Sequence, residues 1–470
     1  MNSPRVYDVV ILGSGIAGII CARELIRIGV KRVLVVEASD VRVVTDRSKA
    51  HYKGQVSMRS ERHSNPDEYR CLSIGGTSKA WGGGLVFFEP QDFESCGPNN
   101  EKYWPLSFNE LDKYRNLAAN NFGLSSDAVN REVLRSQNQG FHQIGFSSEF
   151  DTSAVVFKRW GKYNFVGELG NIDHLVGSIA IDLEDRAGGD LSVVVKDYKF
   201  GNLRRVFGKK IVIATGGMES TRFFLNSKYL MAKTTNNRSA GRFYSPHISG
   251  SLGILIAKNR YRDVFSNRTN VTREANYASF IYSKTNDGSP ELKLNFSNVD
   301  ASCNLEMIMG NIENRRIRLH QLASSRHIRH VRFDSDQTPN KESRIMLSES
   351  LGPDGLPTIE IDHRILTEDW TRIMQLAERF RIAAAEFGCG FLLNDLSFVK
   401  NSIRGQSHHM GTLRMSKEYG SGIVDSNLEV FGAPNVFVLS SAVFPSYSFA
   451  NPTFLIGALA CRLANFLSEK

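Results

Sequence analysis

Tyr7-Asp8-Val9-Val10-Ile11-Leu12-Gly13-Ser14-Gly15-Ile16-Ala17-Gly18 is the stretch whose reading decides the fold of this chain. Its first half is β-rich and apolar, and three glycines then interrupt it. Ile19 to Ile28 continues with helical spacing, and Lys31 to Val36 is a second apolar run. This is a β-α-β unit of roughly 30 residues. Gly13 permits the tight turn, Gly15 lets the backbone approach a pyrophosphate, and Gly18 lets the helix pack close to the strand. Ile16 and Ala17 open the helix, whose N-terminus faces the phosphate charge. Glu37 closes the second run, where a carboxylate can accept hydrogen bonds from ribose hydroxyls. The pattern predicts a dinucleotide site, and by itself it does not choose between FAD and NAD.

Composition narrows the class. The chain has 470 residues, of which 41% are apolar and 23% charged, enough for two or three packed domains and contrary to a disordered or fibrous reading. Its formal charge of +9 is scattered along the chain, which makes it a solvated surface or a weak field for an anionic substrate. The most basic stretch, Arg315 to Arg332, alternates His and Arg with apolar residues, as in an exposed strand or helix. No finger or recognition-helix pattern accompanies it, so no nucleic-acid partner is expected. The six cysteines are isolated from one another and read as reduced core residues, with no metal site. Val9 to Ile20 carries Gly13, Gly15 and Gly18 and lacks a basic flank and a cleavage site, so it is not a signal segment. No stretch approaches the ~20 apolar residues of a membrane span, and a cytoplasmic location is expected.

Beyond the first unit, Gly75-Gly76-Thr77-Ser78 and Gly82-Gly83-Gly84 flank Trp81, as backbone lying close to a ligand would require. A helix is expected from Asn109 to Phe122 with Ser107 as its cap. Short β-rich runs follow from Lys162 to Phe207, with a hairpin near Ala187 to Asp190. The strand Lys210 to Ala214 then passes through Thr215-Gly216-Gly217 into a helix through Glu219 to Leu225. The middle combines strands at Ala278 to Ser283, Glu291 to Phe296, Arg344 to Ser348 and Thr358 to Asp362 with a helix from Thr367 to Phe387. Asn286-Asp287-Gly288 is a hairpin signal between the first two strands. Val436 to Leu439 reads as a strand and Pro452 to Phe466 as a helix.

His408-His409-Met410-Gly411-Thr412-Leu413-Arg414-Met415 leads an ordered series: Gly422-Ile423-Val424-Asp425, Asn435-Val436-Phe437-Val438, Ser441-Ala442-Val443-Phe444-Pro445 and Asn451-Pro452-Thr453. The series resembles the C-terminal region of glucose-methanol-choline (GMC) oxidoreductases, in particular the branch of pyranose 2-oxidase and the sugar and polyol dehydrogenases. Upstream, the resemblance includes Gly75 to Gly83, Trp104-Pro105, Ala214 to Arg222 and Ser343 to Leu347. It is weakest over residues 120 to 160 and 255 to 330.

The resemblance implies an α/β (α+β overall) chain, with a Rossmann-like FAD-binding domain and a substrate domain built on an antiparallel sheet backed by helices. The FAD domain is expected to comprise residues 1–90, 155–245 and 405–470, and the substrate domain residues 91–154 and 246–404. The expected cofactor-binding set is Gly13, Gly15, Ile16, Ala17, Gly18, Glu37, Gly76, Thr77, Ser78, Trp81, Gly82, Gly83, Ala214, Gly216, Ala442, Asn451, Pro452 and Thr453. In pyranose 2-oxidase-like relatives a histidine before the tryptophan of this motif carries a covalent flavin bond. Here that position is Ala80, which implies noncovalent FAD.

His408 matches the family's catalytic histidine and Asn451 the second position of its pair. Their implied work is hydride transfer from an alcohol carbon to flavin N5, with His408 as general base. The implied partners are a small-molecule alcohol or sugar and an electron acceptor, oxygen or another. His409 is the rival base, and Asn451 before Pro452 also reads as a helix N-cap. His247 reads as structural, Asp425 as part of the flavin-binding end of the C-terminal segment, and Phe444, Tyr447 and Phe449 as pocket lining or core. The competing readings are a flavoprotein of another class, NADPH-dependent or monooxygenase-like, and a flavin subunit of an electron-transfer complex.

Overall fold

The computed structural model describes residues 5–40, 54–59, 66, 70–94, 102–158, 172–186, 188–234, 238–261, 263–265, 269–283, 292–298, 328–394 and 396–469. The opening stretch folds as its pattern requires. The strand Val6–Leu12 lies at the centre of a seven-stranded sheet, parallel to Val33–Val36 on one side and to the end of Leu203–Ile213 on the other. The three strands finish together, with Gly13 N donating to Val36 O and Ala214 N to Leu12 O, both at 2.8 Å. Carboxyl ends of parallel strands are where such sheets hold ligands. Between them the helix Ile16–Ile28 starts at Gly15 and stops at Gly29, which takes the left-handed conformation at φ 104°. Its inner face, including Ile19, Ile20 and Leu25, packs on the sheet and on the C-terminal helix Thr453–Glu469.

The long strand Leu203–Ile213 shares one edge between two neighbours. Its first half pairs antiparallel with Leu191–Asp197, and its last residues pair parallel with Val436–Val438. That pairing carries the C-terminal series to the same sheet end as the glycine fingerprint.

A second sheet of eight strands is antiparallel throughout. From edge to edge it runs Thr269–Val271, Ala275–Ser283, Leu292–Asn298, Ile328–Ser335, Ile248–Ala257 and Gly390–Leu393; Phe150–Lys158 adds to Ala275–Ser283, and Arg404–Gly405 to the start of Ile248–Ala257. Alternation gives it two unlike faces. Leu292, Leu294, Phe296, Val331 and Phe333 form one core with Ile373, Leu376 and Phe380 of the helix Thr367–Glu386. The edge of Phe150–Lys158 meets the second glycine cluster, where Leu85 and Val156 exchange backbone hydrogen bonds of 2.9 Å.

A third sheet joins Arg344–Leu351, Pro357–Asp362 and Val56–Met58. Its Ile345, Ile359 and Ile361 pack with Met218 and Tyr244 rather than with the long helix, although the sequence groups residues 344–362 with the substrate domain. The expected helix Asn109 to Phe122 is two pieces, Phe108–Asp112 and Arg115–Asn121. Ser107 does cap the first, its Oγ accepting from Glu110 N at 3.3 Å. The Asn286-Asp287-Gly288 hairpin lies outside the described residues, and of the basic stretch only its last residues, on the strand Ile328–Ser335, fall within them.

Gly18 is fixed by contact rather than by backbone angle. A Cβ there would stand 2.1 Å from Gly13 O and 3.2 Å from Ile11 Cγ2. Gly18→Ala is expected to cost about 1 to 3 kcal/mol by overpacking, read as a lower thermal midpoint of the cofactor-free protein. An unchanged midpoint would show that the helix can shift away from the turn.

Candidate active site

A cavity of about 560 Å³ runs from the glycine fingerprint to the C-terminal histidines. At one end Gly13, Gly15, Ile16, Ala17 and Glu37 line it, with Gly76, Thr77, Ser78, Trp81 and Gly82 opposite, Ala214 and Gly216 beside them, and Asn451, Pro452 and Thr453 at the far end. Of the remaining expected residues, Gly18, Gly83 and Ala442 are not among those that line it. Gly18 packs on the turn, and Ala442 joins the core and accepts Leu413 N through its carbonyl.

The fingerprint end suits an adenine dinucleotide. No atom lies within 4 Å of where a Gly15 Cβ would point, so backbone is open there for a pyrophosphate. Glu37 is buried and held in place: Ser14 N and Oγ donate to Oε2 at 2.9 and 2.5 Å, and Ser39 N donates to Oε1 at 2.9 Å. Burial raises its carboxyl above the usual range, and those hydrogen bonds pull it partly back. Ser14 Oγ also accepts Gly75 N at 3.0 Å, tying the two glycine clusters together. Sequence reasoning missed the outer wall of this end, Ser178 to Ala180, Tyr198 and Asn226. Those residues belong to strands and helices whose approach depends on sheet order.

The other end is built by a backbone crossing. Ser245 and Met410 exchange antiparallel hydrogen bonds of 3.1 Å in each direction. Two residues beyond Ser245 is His247, and two before Met410 is His408, so the strand period places their side chains opposite one another. The Nδ1 atoms are 2.8 Å apart and the rings meet edge to face. Both line the cavity. His247, read from sequence as structural, thus stands beside the residue read as the base. The signal was unreadable because contact between them depends on pairing across 161 residues.

Electrostatics keeps the pair neutral. Burial lowers His408 to about 4; Asp334 opposes that shift and Lys293 adds to it. Burial, His408 and Lys293 hold His247 well below the usual histidine range, and the Ser448 backbone opposes them. His409 lines the cavity too, but its ring is held by a different partner. Tyr244 Oη is 2.8 Å from its Nδ1, and its carbonyl accepts from Ser441 Oγ at 2.6 Å. Asn451 donates Nδ2 to Gly84 O at 3.2 Å, so its side chain braces the second glycine cluster rather than capping the helix. Phe444 packs on Phe88 and Trp104, Tyr447 Oη donates to Phe243 O at 2.6 Å, and Phe449 packs on Phe280 and Tyr282; all three are core. Asp425 Oδ1 accepts Asn427 N and Glu429 N and shapes its own loop, away from the cavity wall.

Among the described residues no group of three or more His, Cys, Asp or Glu could hold a metal, and no helix is long and apolar enough to cross a membrane.

Comparison with known proteins agrees with this geometry. Residues 339–460 match the family described as GMC oxidoreductase. Across the whole chain and 92% of the relative, 22% of residues are identical to 6'''-hydroxyparomomycin C oxidase of Streptomyces lividus. Over 27% of this chain and 23% of the relative, 29% are identical to paromamine 6'-oxidase of Streptomyces fradiae. The fold matches the crystal structure of pyridoxine 4-oxidase from Mesorbium loti with a TM-score of 0.64, covering 99% of both chains at 19% identity.

Titration of histidine-labelled protein by NMR is expected to place His408 near pH 4, so that its imidazole is neutral from about pH 5 upward. A midpoint near 6.5 would mean that the ring is solvated and the cavity wall is not closed around it.

Proposed function

We propose that this chain, a GMC oxidoreductase, oxidises a hydroxyl-bearing carbon of a sugar, polyol or glycoside in the cavity that His408 lines. The family brings FAD dependence and a CH–OH donor. The relatives named for aminoglycoside oxidation support a sugar-like substrate. The observation that carries the reading is a neutral histidine pair, His247 buried and His408 half-buried, on the wall of a cavity that begins at a dinucleotide fingerprint.

When bound, FAD supplies the hydride acceptor. Gly13, Gly15, Glu37 and the Gly75 to Gly84 cluster would hold it. His408 takes the hydroxyl proton as the carbinol hydrogen leaves with its electron pair, and the product is a carbonyl compound. One proton lies between the two Nδ1 atoms. If His408 carries it, its Nε2 is a lone pair and the base is ready; His247 then accepts at Nδ1 and holds the ring in that tautomer. His247 is a positioning residue in this scheme. Asn451 keeps one amide hydrogen on Gly84 O and has the other, and its oxygen, for the reacting oxygen's side of the cavity. The N-terminus of Thr453–Glu469 adds partial positive charge to that wall. The acceptor that reoxidises the flavin is oxygen or another small molecule, and the names of the relatives favour oxygen.

Ala80 lines the cavity where the resemblance places a flavin-linking histidine, and a methyl group offers no nucleophile. FAD is therefore noncovalent in this proposal. Acid precipitation should release all the flavin into the supernatant; flavin retained in the pellet refutes this.

Anaerobic addition of sugars and polyols to the purified holoprotein tests the main reading. Bleaching of the flavin spectrum by at least one of them is expected, slowed at least ~100-fold in His408→Ala with FAD still bound. His409→Ala should bleach within about tenfold of wild type. Equal rates for His408→Ala and wild type would remove His408 from the chemistry.

A further inference from the structure

The antiparallel sheet turns a polar face toward the cavity. Across the strand pair Leu292–Asn298 and Ile328–Ser335, Lys293 stands opposite Asp334, Asn295 opposite Arg332 and Ser297 opposite His330. On the next strand Ser249 stands opposite Asp334 and Ser251 opposite Arg332. The intervening Leu294, Phe296, Val331 and Phe333 belong to the apolar core on the other side. A sheet that only roofed a cofactor could carry apolar residues on both faces at no cost in hydrogen bonds.

Asp334 is the member of this face that lines the cavity. Its Oδ2 takes both protein contacts, from Asn295 Nδ2 at 3.0 Å and from Lys293 Nζ at 3.3 Å. Oδ1 has no partner among the described residues, and the side chain is 29% exposed while that of Lys293 is 7%. Lys293 Nζ also lies 5.2 Å over the Phe280 ring. Lys–Asp pairs across strands are common sheet stabilisers, but a purely stabilising pair has no reason to leave one carboxylate oxygen facing the catalytic cavity. Burying the ammonium requires the carboxylate beside it, so the pair is a neutral unit with an outward acceptor. Both groups act electrostatically on His408, which places them near the base.

We infer that the Lys293–Asp334 pair is a substrate subsite, in which Asp334 Oδ1 accepts a hydrogen bond from a second hydroxyl next to the one that His408 deprotonates. The inference rests on the alcohol-oxidising reading and narrows its substrate to vicinal polyols. A neutral hydroxyl suits a neutral ion pair. An ammonium at that position would face the Lys293 charge, so amines on the substrate belong elsewhere.

The test compares an aldopyranose that reduces the flavin with its monodeoxy analogues, by anaerobic stopped-flow on wild type and on Lys293→Met/Asp334→Leu. The double substitution removes both charges together and avoids stranding either one. In wild type, one deoxy analogue lacking a hydroxyl next to the oxidised carbon should lose about 10- to 100-fold in kcat/KM, the range for a hydrogen bond to a charged group. In the double variant that discrimination should fall to within about threefold, with flavin content unchanged. If the double variant fails to retain FAD, Asp334→Asn takes its place, and the discrimination should shrink at least about threefold. Equal discrimination in wild type and variant overturns the subsite and leaves the oxidation intact. A wild type that no alcohol reduces overturns the oxidation and the subsite with it.

Discussion

The antiparallel crossing of Ser245 with Met410 is the constraint from which the catalytic end follows. It joins the segment leaving the Rossmann-like half to the segment that returns to it, and it sets two imidazoles face to edge at 2.8 Å. The crossing is tight. Phe243 takes a positive φ of 62°, and a Cβ on Gly411 would stand 2.1 Å from Tyr447 Oη and 2.2 Å from Phe243 O. Arg414 lies 4.4 Å over the Phe243 ring and closes the outer side. A strained non-glycine backbone persists only where its surroundings over-determine it, and here a hydrogen bond, a cation and a glycine all bear on one residue. The histidines can therefore stay uncharged side by side without collapsing onto each other.

The depressed basicity of His408 belongs to the same constraint. Burial penalises imidazolium strongly, and Lys293 adds to the penalty, so His408 carries no charge at neutral pH. A base that weak accepts a proton well only while a hydride leaves the same molecule, because the proton and the electron pair then depart together. Its neighbour His247 supplies a nitrogen that can share the proton without bringing a charge.

The fold was legible wherever a period could be counted. Val9 to Val36 is a β-α-β unit in sequence and in structure, Thr367 to Phe387 is one helix to within a residue, and Ala275–Ser283 and Leu292–Asn298 of the antiparallel sheet and Arg344–Leu351 and Pro357–Asp362 of the third lie within a few residues of their expected places, while the other strands of the antiparallel sheet carry no period that was read. The fingerprint residues Gly13, Gly15, Ile16, Ala17 and Glu37 line the cavity. Legibility stopped at contacts that sheet order creates. Nothing local marks His247 as the partner of His408, since the pairing of residues 245 and 410 is a product of tertiary register. The aromatic triplet Phe444, Tyr447 and Phe449 could have been pocket or core from sequence, and the approach of Phe88, Trp104 and Phe280 made it core. The break between Phe108–Asp112 and Arg115–Asn121 has no glycine or proline to announce it.

Among the described residues the ion pairs Arg70–Glu219, Arg222–Asp354 and Lys293–Asp334 meet this cavity, and the difference between the last two separates structure from function. Arg222 and Asp354 form a bidentate pair, Nη1 to Oδ2 at 2.7 Å and Nη2 to Oδ1 at 2.9 Å, and the guanidinium also donates to the carbonyls of Pro357 and Leu356. Leu356 N donates to Oδ1 as well, so both carboxylate oxygens are taken. That arrangement binds the helix Gly217–Asn226 to the three-stranded sheet and asks nothing of a ligand. Lys293 and Asp334 are paired through one oxygen only. A point-like ammonium can neutralise a carboxylate without covering it, whereas a forked guanidinium covers both oxygens. The use of lysine at the substrate end and arginine at the cofactor end follows from what each pair must leave open.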